Sequence, residues 1–193
     1  MAQDHNDKFI KSVVEAMIFV SAVPLSLNTL HQTLSEKVTI SKKQLQTILQ
    51  QLQNDYDARA VELVEVASGF RFQARQAYSD YIGLLFKEKA PKYSRALLET
   101  LALIAYRQPI TRGEIEDIRG VSVSSYIIRT LQERDWIHVV GHKEVPGRPA
   151  LFATTNEFLD YFSLTSLQQL PPLMDITDID VADAEQQPQT EEA

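Results

Sequence analysis

The stretch "WIHVVGHKEVPGRPALFATT", residues 136–155, reads as two β-rich runs joined by a loop with two prolines and a glycine. Pro146 and Pro149 restrict the backbone and carry no N–H, while Gly147 permits a sharp change of direction. A phosphate loop would need a different glycine spacing and a Lys-Ser/Thr pair, and the segment has neither. A catalytic loop would need a partner for Glu144 and Arg148, and no motif supplies one. The loop reads best as the shaped tip of a hairpin, which makes Arg148 a candidate contact to nucleic acid or protein.

Immediately upstream lie two helix starts of one design: a hydrophobic residue, a Ser or Thr cap, and a second hydrophobic residue four positions after the cap. They read Ile110-Thr111…Ile115 and Val121-Ser122…Tyr126. The hydroxyl accepts from free N–H groups of the first turn, and the flanking apolar pair staples over it. The same phrase occurs twice in the first half, as Leu25-Ser26…Leu30 and Ile40-Ser41…Leu45. Gln44 and Glu114, three residues after their caps, complete capping boxes. Two helix–turn–helix units are therefore expected.

Each unit is preceded by an amphipathic helix. Over residues 8–20, Phe9, Ile10, Val13, Val14, Met17 and Ile18 form an apolar face. After a cap at Ser94, Leu97, Leu98, Leu101, Ile104 and Ala105 do the same. Each unit is followed by a hairpin, the first at "VELVEVASGFRFQA" with Phe70, Phe72 and Ala74 alternating. Each hairpin leads to an aromatic closing helix, marked by Tyr78, Tyr81, Ile82 and Leu85, then by Phe158, Leu159, Tyr161 and Phe162. The expected fold is mainly α with small β-hairpins (α+β), as two tandem winged-helix domains. Residues 1–90 form the first and 91–165 the second, with an acidic, disordered tail over 166–193.

Composition narrows the function. The chain has no cysteine, so disulfides and thiolate zinc sites are excluded. No run approaches the roughly 18 apolar residues of a membrane span, and the N-terminus lacks a basic secretory lead. A cytoplasmic protein is expected. The net charge of −7 is all in the tail: Lys/Arg and Asp/Glu balance at ten each over residues 1–90 and nine each over 91–165, against none and seven over 166–193. A dedicated DNA binder usually carries a basic surplus, because phosphate neutralisation supplies much of its affinity.

No catalytic, cofactor or metal site is expected. His138 and His142 fall on a strand and its turn, where four residues span about 13 Å, too far for one zinc. "DITDID" in the tail lacks the central glycine of a calcium loop. The second helix of each helix–turn–helix is where DNA reading would occur; it offers Lys42 and Lys43 in the first half, Arg129 and Arg134 in the second. For Tyr126 and the single tryptophan, Trp136, core packing is the default reading, and the enrichment of Trp and Tyr at protein interfaces makes a protein-binding face the second.

From Ser94 to Leu173, "LETLALIAYRQPITRGEIEDIRGV" and "RTLQERDWIHVVGHKEVPGRPALFATTNEFLDYFSLTSLQQLPPL" closely resemble the bacterial segregation and condensation protein B family. The resemblance implies a non-enzymatic subunit that dimerises through its first winged helix and grips a kleisin. The kleisin in turn bridges the heads of a structural-maintenance-of-chromosomes (SMC) ATPase, so the nucleoid is reached through the complex and DNA is touched weakly or through it. On this reading Tyr126, Arg129, Trp136 and Arg148 are the candidate partner contacts. The alternative is a winged-helix transcription regulator that binds duplex DNA by itself.

Overall fold

The long opening helix α1 (Ala2–Val20) turns Ile10, Val14 and Ile18 inward, each no more than 3% exposed. A computed structural model describes residues 2–85 and 93–172; the acidic stretch beyond and the join at 86–92 lie outside it. Phe9, counted by pattern on the buried face, lies outside the core at 64% exposure. The spacing of Ile10, Val14 and Ile18 is a strict i, i+4 stripe, and Phe9 sits one position off it.

Helices α2 (Leu27–Ser35) and α3 (Lys42–Asp55) follow. Ser26 accepts from Thr29 N–H at 3.0 Å, and Ser41 with Gln44 forms the full capping box. Leu30, Leu34, Leu45, Ile48, Leu49 and Leu52 face α1 to make the first core. Strands β1 (Val61–Val66) and β2 (Gly69–Ala74) pair antiparallel across a two-residue turn. Leu25, just before the α2 cap, adds a bridge to Phe70 with both backbone hydrogen bonds at 2.9 Å.

The first half closes weakly. A 3-10 turn leads into α4 (Ser79–Gly83), only five residues long, and Tyr81 and Leu85 are 74% and 79% exposed. The aromatic closing helix expected here does not pack on the core, because its apolar residues lack the helix length needed to share one face.

The second half repeats the plan. Helix α5 (Arg95–Arg107), capped by Ser94, buries Leu97, Leu101 and Ile104. Strand β3 (Ile110–Thr111) pairs with β5 (Ala150–Thr154), which pairs with β4 (Ile137–His142), giving the order β3-β5-β4. Between β3 and β4 stand α6 (Arg112–Arg119) and α7 (Ser125–Glu133), and α8 (Asn156–Tyr161) closes the domain. In each half the hydrophobic residue before a helix cap thus pairs with the second hairpin strand, through a single bridge at Leu25 and through the short strand β3 at Ile110. The fold is α+β, two winged helices in tandem.

Two boundaries differ from the sequence reading. The cap of α7 is Ser124, which accepts from Tyr126 N–H at 3.2 Å, and not Ser122. Val123 is the reason: it is fully buried, and its N–H donates to Glu116 Oε1 at 2.8 Å, so the helix starts only after it. The packed chain also runs past residue 165, since Leu164 and Leu170 lie against the second core and Tyr106 Oη donates to the Pro171 carbonyl.

Candidate partner-binding site

The helix–turn–helix of the second half is built around three carboxylates. Glu114 accepts from Thr111 N–H and Oγ1, both at 2.8 Å, closing the capping box, and its other oxygen takes Lys143 Nζ at 2.6 Å. The Lys143 contact, followed by the Thr111 bonds, holds this carboxyl at a pKa of about 2. Glu116 accepts from Val123 N–H and from Arg112 Nε, and the Val123 bond is the larger cause of its lowered pKa. Glu99 is held between Arg95 and Arg119, which lower its pKa in that order. Glu116 therefore shapes the turn before α7, and Glu114 fixes the base of the wing.

The wing tip is a tight turn. Arg148 N–H donates to Val145 O at 2.9 Å, with Pro146 and Gly147 at the two central positions and Gly147 at φ 84°. Pro followed by a residue of positive φ is the pattern of a type II turn, which calls for glycine at that point. Arg148 itself stands at φ 38°.

Tyr126 occupies the first turn of α7 and is 72% exposed. Arg129, three residues on, shares its face and donates from Nε to Glu133 at 2.7 Å. Arg148 is likewise paired, with Glu144 at 3.1 Å. Arg129 on the recognition helix and Arg148 on the wing are thus each matched to a carboxylate four residues away, while Arg134 stacks on Tyr93 and Trp136.

Trp136 is placed elsewhere. Helix α7 ends in a Schellman turn with Asp135 left-handed at φ 53°, Asp135 N–H on Gln132 O and Trp136 N–H on Leu131 O. That turn directs Trp136 inward, where it is 2% exposed. Its ring lies 4.6 Å from Tyr161, 5.2 Å from Tyr93 and 5.5 Å from Phe162, centroid to centroid, and the Arg134 guanidinium stacks over it at 5.4 Å. With so little surface, Trp136 packs behind the recognition helix and reaches the outside only at the wall of a neighbouring cleft. Burial, then the hydrogen bond to Tyr161, raises the pKa of the neighbouring Tyr93 phenol.

Further apolar groups are exposed, among them Val121, which the sequence pattern placed in a staple over the first turn of α7. Ile118 and Val121 flank the turn before α7 at 55% and 56% exposure. In the first half, Phe19, Val20 and Val23 at the end of α1 are 65–79% exposed. Their one signal was position: apolar residues off the buried stripe. Among the described residues no cluster of His, Asp and Glu is placed to hold a metal, and no helix is long and apolar enough to cross a membrane.

The arrangement is that of a tandem winged-helix protein whose reading heads carry aromatic and ion-paired groups. Residues 12–173 match the family described as segregation and condensation complex subunit ScpB. The segregation and condensation protein B homolog of Coxiella burnetii is 54% identical over 175 residues, covering 91% of this chain and 84% of that one. Segregation and condensation protein B of Symbiobacterium thermophilum is 41% identical over 84% of this chain and 73% of its own. The chain belongs to the ScpB family. Among solved structures, ScpB of Mycobacterium tuberculosis is 32% identical over 82% of this chain and 98% of its own, with a TM-score of 0.38. A dimer of an ScpB N-terminal domain complexed with an ScpA peptide is 26% identical over 40% of this chain and 95% of its own, with a TM-score of 0.37.

Proposed function

We propose that this chain is a non-enzymatic accessory subunit of a bacterial condensin-like SMC complex. It dimerises through the winged helix of residues 1–90 and binds the kleisin subunit, ScpA, through that of residues 91–165. It thereby supports chromosome condensation and segregation in the cytoplasm, reaching the SMC ATPase and the nucleoid through the kleisin. Membership of the ScpB family supports the complex and its process.

One observation carries the choice of a protein partner over DNA. Arg129 and Arg148, where a winged helix would meet phosphates, are neutralised by Glu133 and Glu144 within the same elements, and Tyr126 stands exposed beside them. A phosphate surface needs uncompensated cations, since affinity for DNA comes largely from released counterions. A protein partner instead rewards exposed aromatic area with charges at its rim.

Calorimetric titration with the central segment of the kleisin, alongside a DNA duplex, tests the reading. Saturable binding of the segment with none of the duplex is expected. Salt-sensitive duplex binding without segment binding would overturn it in favour of the transcription regulator.

A further inference from the structure

The two winged helices meet along a seam at the turn of the first hairpin. A two-residue turn leaves the N–H groups of Ala67 and Ser68 without partners in their own sheet, and here both are taken up by the other half. Ala67 N–H donates to Leu164 O at 2.9 Å, and Ser68 N–H donates to Asp160 Oδ1 at 3.0 Å. Beside them Arg71 Nη2 donates to Ser163 Oγ at 3.2 Å. All three acceptors fall within the last residues of α8 and its terminating turn.

That turn is shaped for the purpose. Helix α8 ends in a Schellman motif, Ser163 N–H on Asp160 O and Leu164 N–H on Leu159 O, with Ser163 left-handed at φ 56°. Glycine is the usual occupant of such a position, and a serine there is strained. Glycine would relieve the backbone and delete the hydroxyl that Arg71 reaches. Asp160 is 5% exposed, the only charged residue buried to that degree among the described residues, and it sits on a short helix. Separating the halves would return it to water. One carboxylate oxygen is held at the seam by the Ser68 N–H, and the side chain also lines the cleft between the halves.

We propose that Asp160, Ser163 and Leu164 form a latch on the hairpin turn of the first domain, and that it sets one relative arrangement of the two winged helices while remaining releasable. Both properties follow from the same groups. Three directed contacts from one turn select an orientation, and since each is a single hydrogen bond that water can replace on opening, the closed state is only marginally preferred. A cleft of about 590 Å³ lies on the same seam, with Pro24, Arg71, Arg134, Trp136 and Tyr161 among its walls, so opening the latch also exposes the aromatic cluster around Trp136.

The absence of cysteine makes the test direct. Spin labels on Ala58→Cys and Gln132→Cys, both exposed and one in each half, report the inter-domain distance within one full chain by double electron–electron resonance when the labelled chain is mixed with a large excess of unlabelled chain, so that each dimer holds one labelled protomer. The otherwise unaltered chain is expected to give one narrow distance peak. Asp160→Ala is expected to lose it in favour of a broad distribution, and Arg71→Ala, made on the opposite half and outside the second core, to broaden it as well. A broad distribution in the unaltered chain, or the same narrow peak in Arg71→Ala and in a folded Asp160→Ala, would overturn the latch.

Discussion

Lys143, the first residue of the wing, places Nζ 2.6 Å from Glu114 Oε1, while Glu114 Oε2 caps α6 through Thr111. One carboxylate thereby joins the base of the wing to the start of the helix–turn–helix. Its two jobs are separable by substitution. Gln at 114 can keep the capping box but not the ion pair, whereas Ala loses both. Since Glu114 is 39% exposed, the pair alone contributes at most about 1 kcal/mol. The return bond to Thr111 adds about 1 kcal/mol, while Thr111's own bond to the Glu114 N–H survives both substitutions. Urea unfolding should therefore rank Glu114→Ala below Glu114→Gln, and Glu114→Gln slightly below the parent. Equal stability of the two variants would remove the return bond from this account.

The same carboxyl fixes a pH dependence. Its folded-state pKa of about 2 lies below the ordinary value of 4.5, so the stabilisation is complete above that value. It is lost as pH falls from 4.5 toward 2, because the unfolded chain takes up the proton first. Carbon-detected NMR titration should find the Glu114 side chain still ionised at pH 3, and Lys143→Met should move its midpoint upward. A midpoint near 4.5 in the parent would show that the wing is not held this way.

Gly69 marks the tightest backbone approach in the first half. A Cβ there would lie 2.3 Å from the carbonyl carbon and oxygen of Leu25, and φ is 138°. Both atoms are backbone and belong to the bridge that completes the sheet, so neither can swing away. Gly69→Ala is expected to cost about 2 kcal/mol or more in equilibrium unfolding. Gly83, at the end of α4 with open space around it, is the control, and Ala there should be neutral or stabilising by up to about 1 kcal/mol. Comparable losses at the two positions would contradict the Leu25–Phe70 pairing.

How much of this was legible beforehand followed the range of the interactions. Ser26, Ser41 and Thr111 were readable as caps because a cap is made within four residues of itself. Ser122 was misjudged because the true start of α7 is set by Val123, whose burial and bond to Glu116 depend on how α6 packs. The wing was readable from Pro146 and Gly147, whose turn chemistry is local. The burial of Trp136 was the default reading, but neither the turn that imposes it nor the seam could be read that way. The first depends on Asp135 adopting a left-handed conformation that glycine or asparagine would have advertised. The second joins residues 67–71 to residues 160–164, groups with no sequence pattern in common. Exposure of Phe9, Phe19 and Val20 escaped notice because a helix with apolar residues off its stripe looks the same whether or not a partner covers them.

Trp136 serves as a built-in reporter of the second core. Buried in an aromatic cluster, it should emit at short wavelength and shift to the red when the second half unfolds. Trp136→Ala should cost about 3–5 kcal/mol, as large-to-small changes in cores do, and Trp136→Phe considerably less. An emission maximum typical of water-exposed indole in the native protein would contradict the packing seen around it.

Tyr126 and Arg129 make the opposite prediction, since they hold little of the fold and are assigned the partner. Removing a ring that is 72% exposed should leave stability within about 0.5 kcal/mol. Arg129→Ala should lose only its helical pair with Glu133, about 0.3–0.5 kcal/mol. If α7 presents the anchor of the kleisin interface, Tyr126→Ala should weaken binding of the kleisin segment by about 2 kcal/mol, roughly thirtyfold. Arg129→Ala, at a solvated rim, should change the rate and salt dependence of association more than the final affinity. Trp136→Phe is the necessary companion, because a loss there without a loss at Tyr126 would move the interface to the seam. Unchanged affinity in both Tyr126→Ala and Arg129→Ala, with the proteins folded, would take the recognition helix out of the interface. The exposed apolar groups Ile118 and Val121 before it would then be the next surface to test.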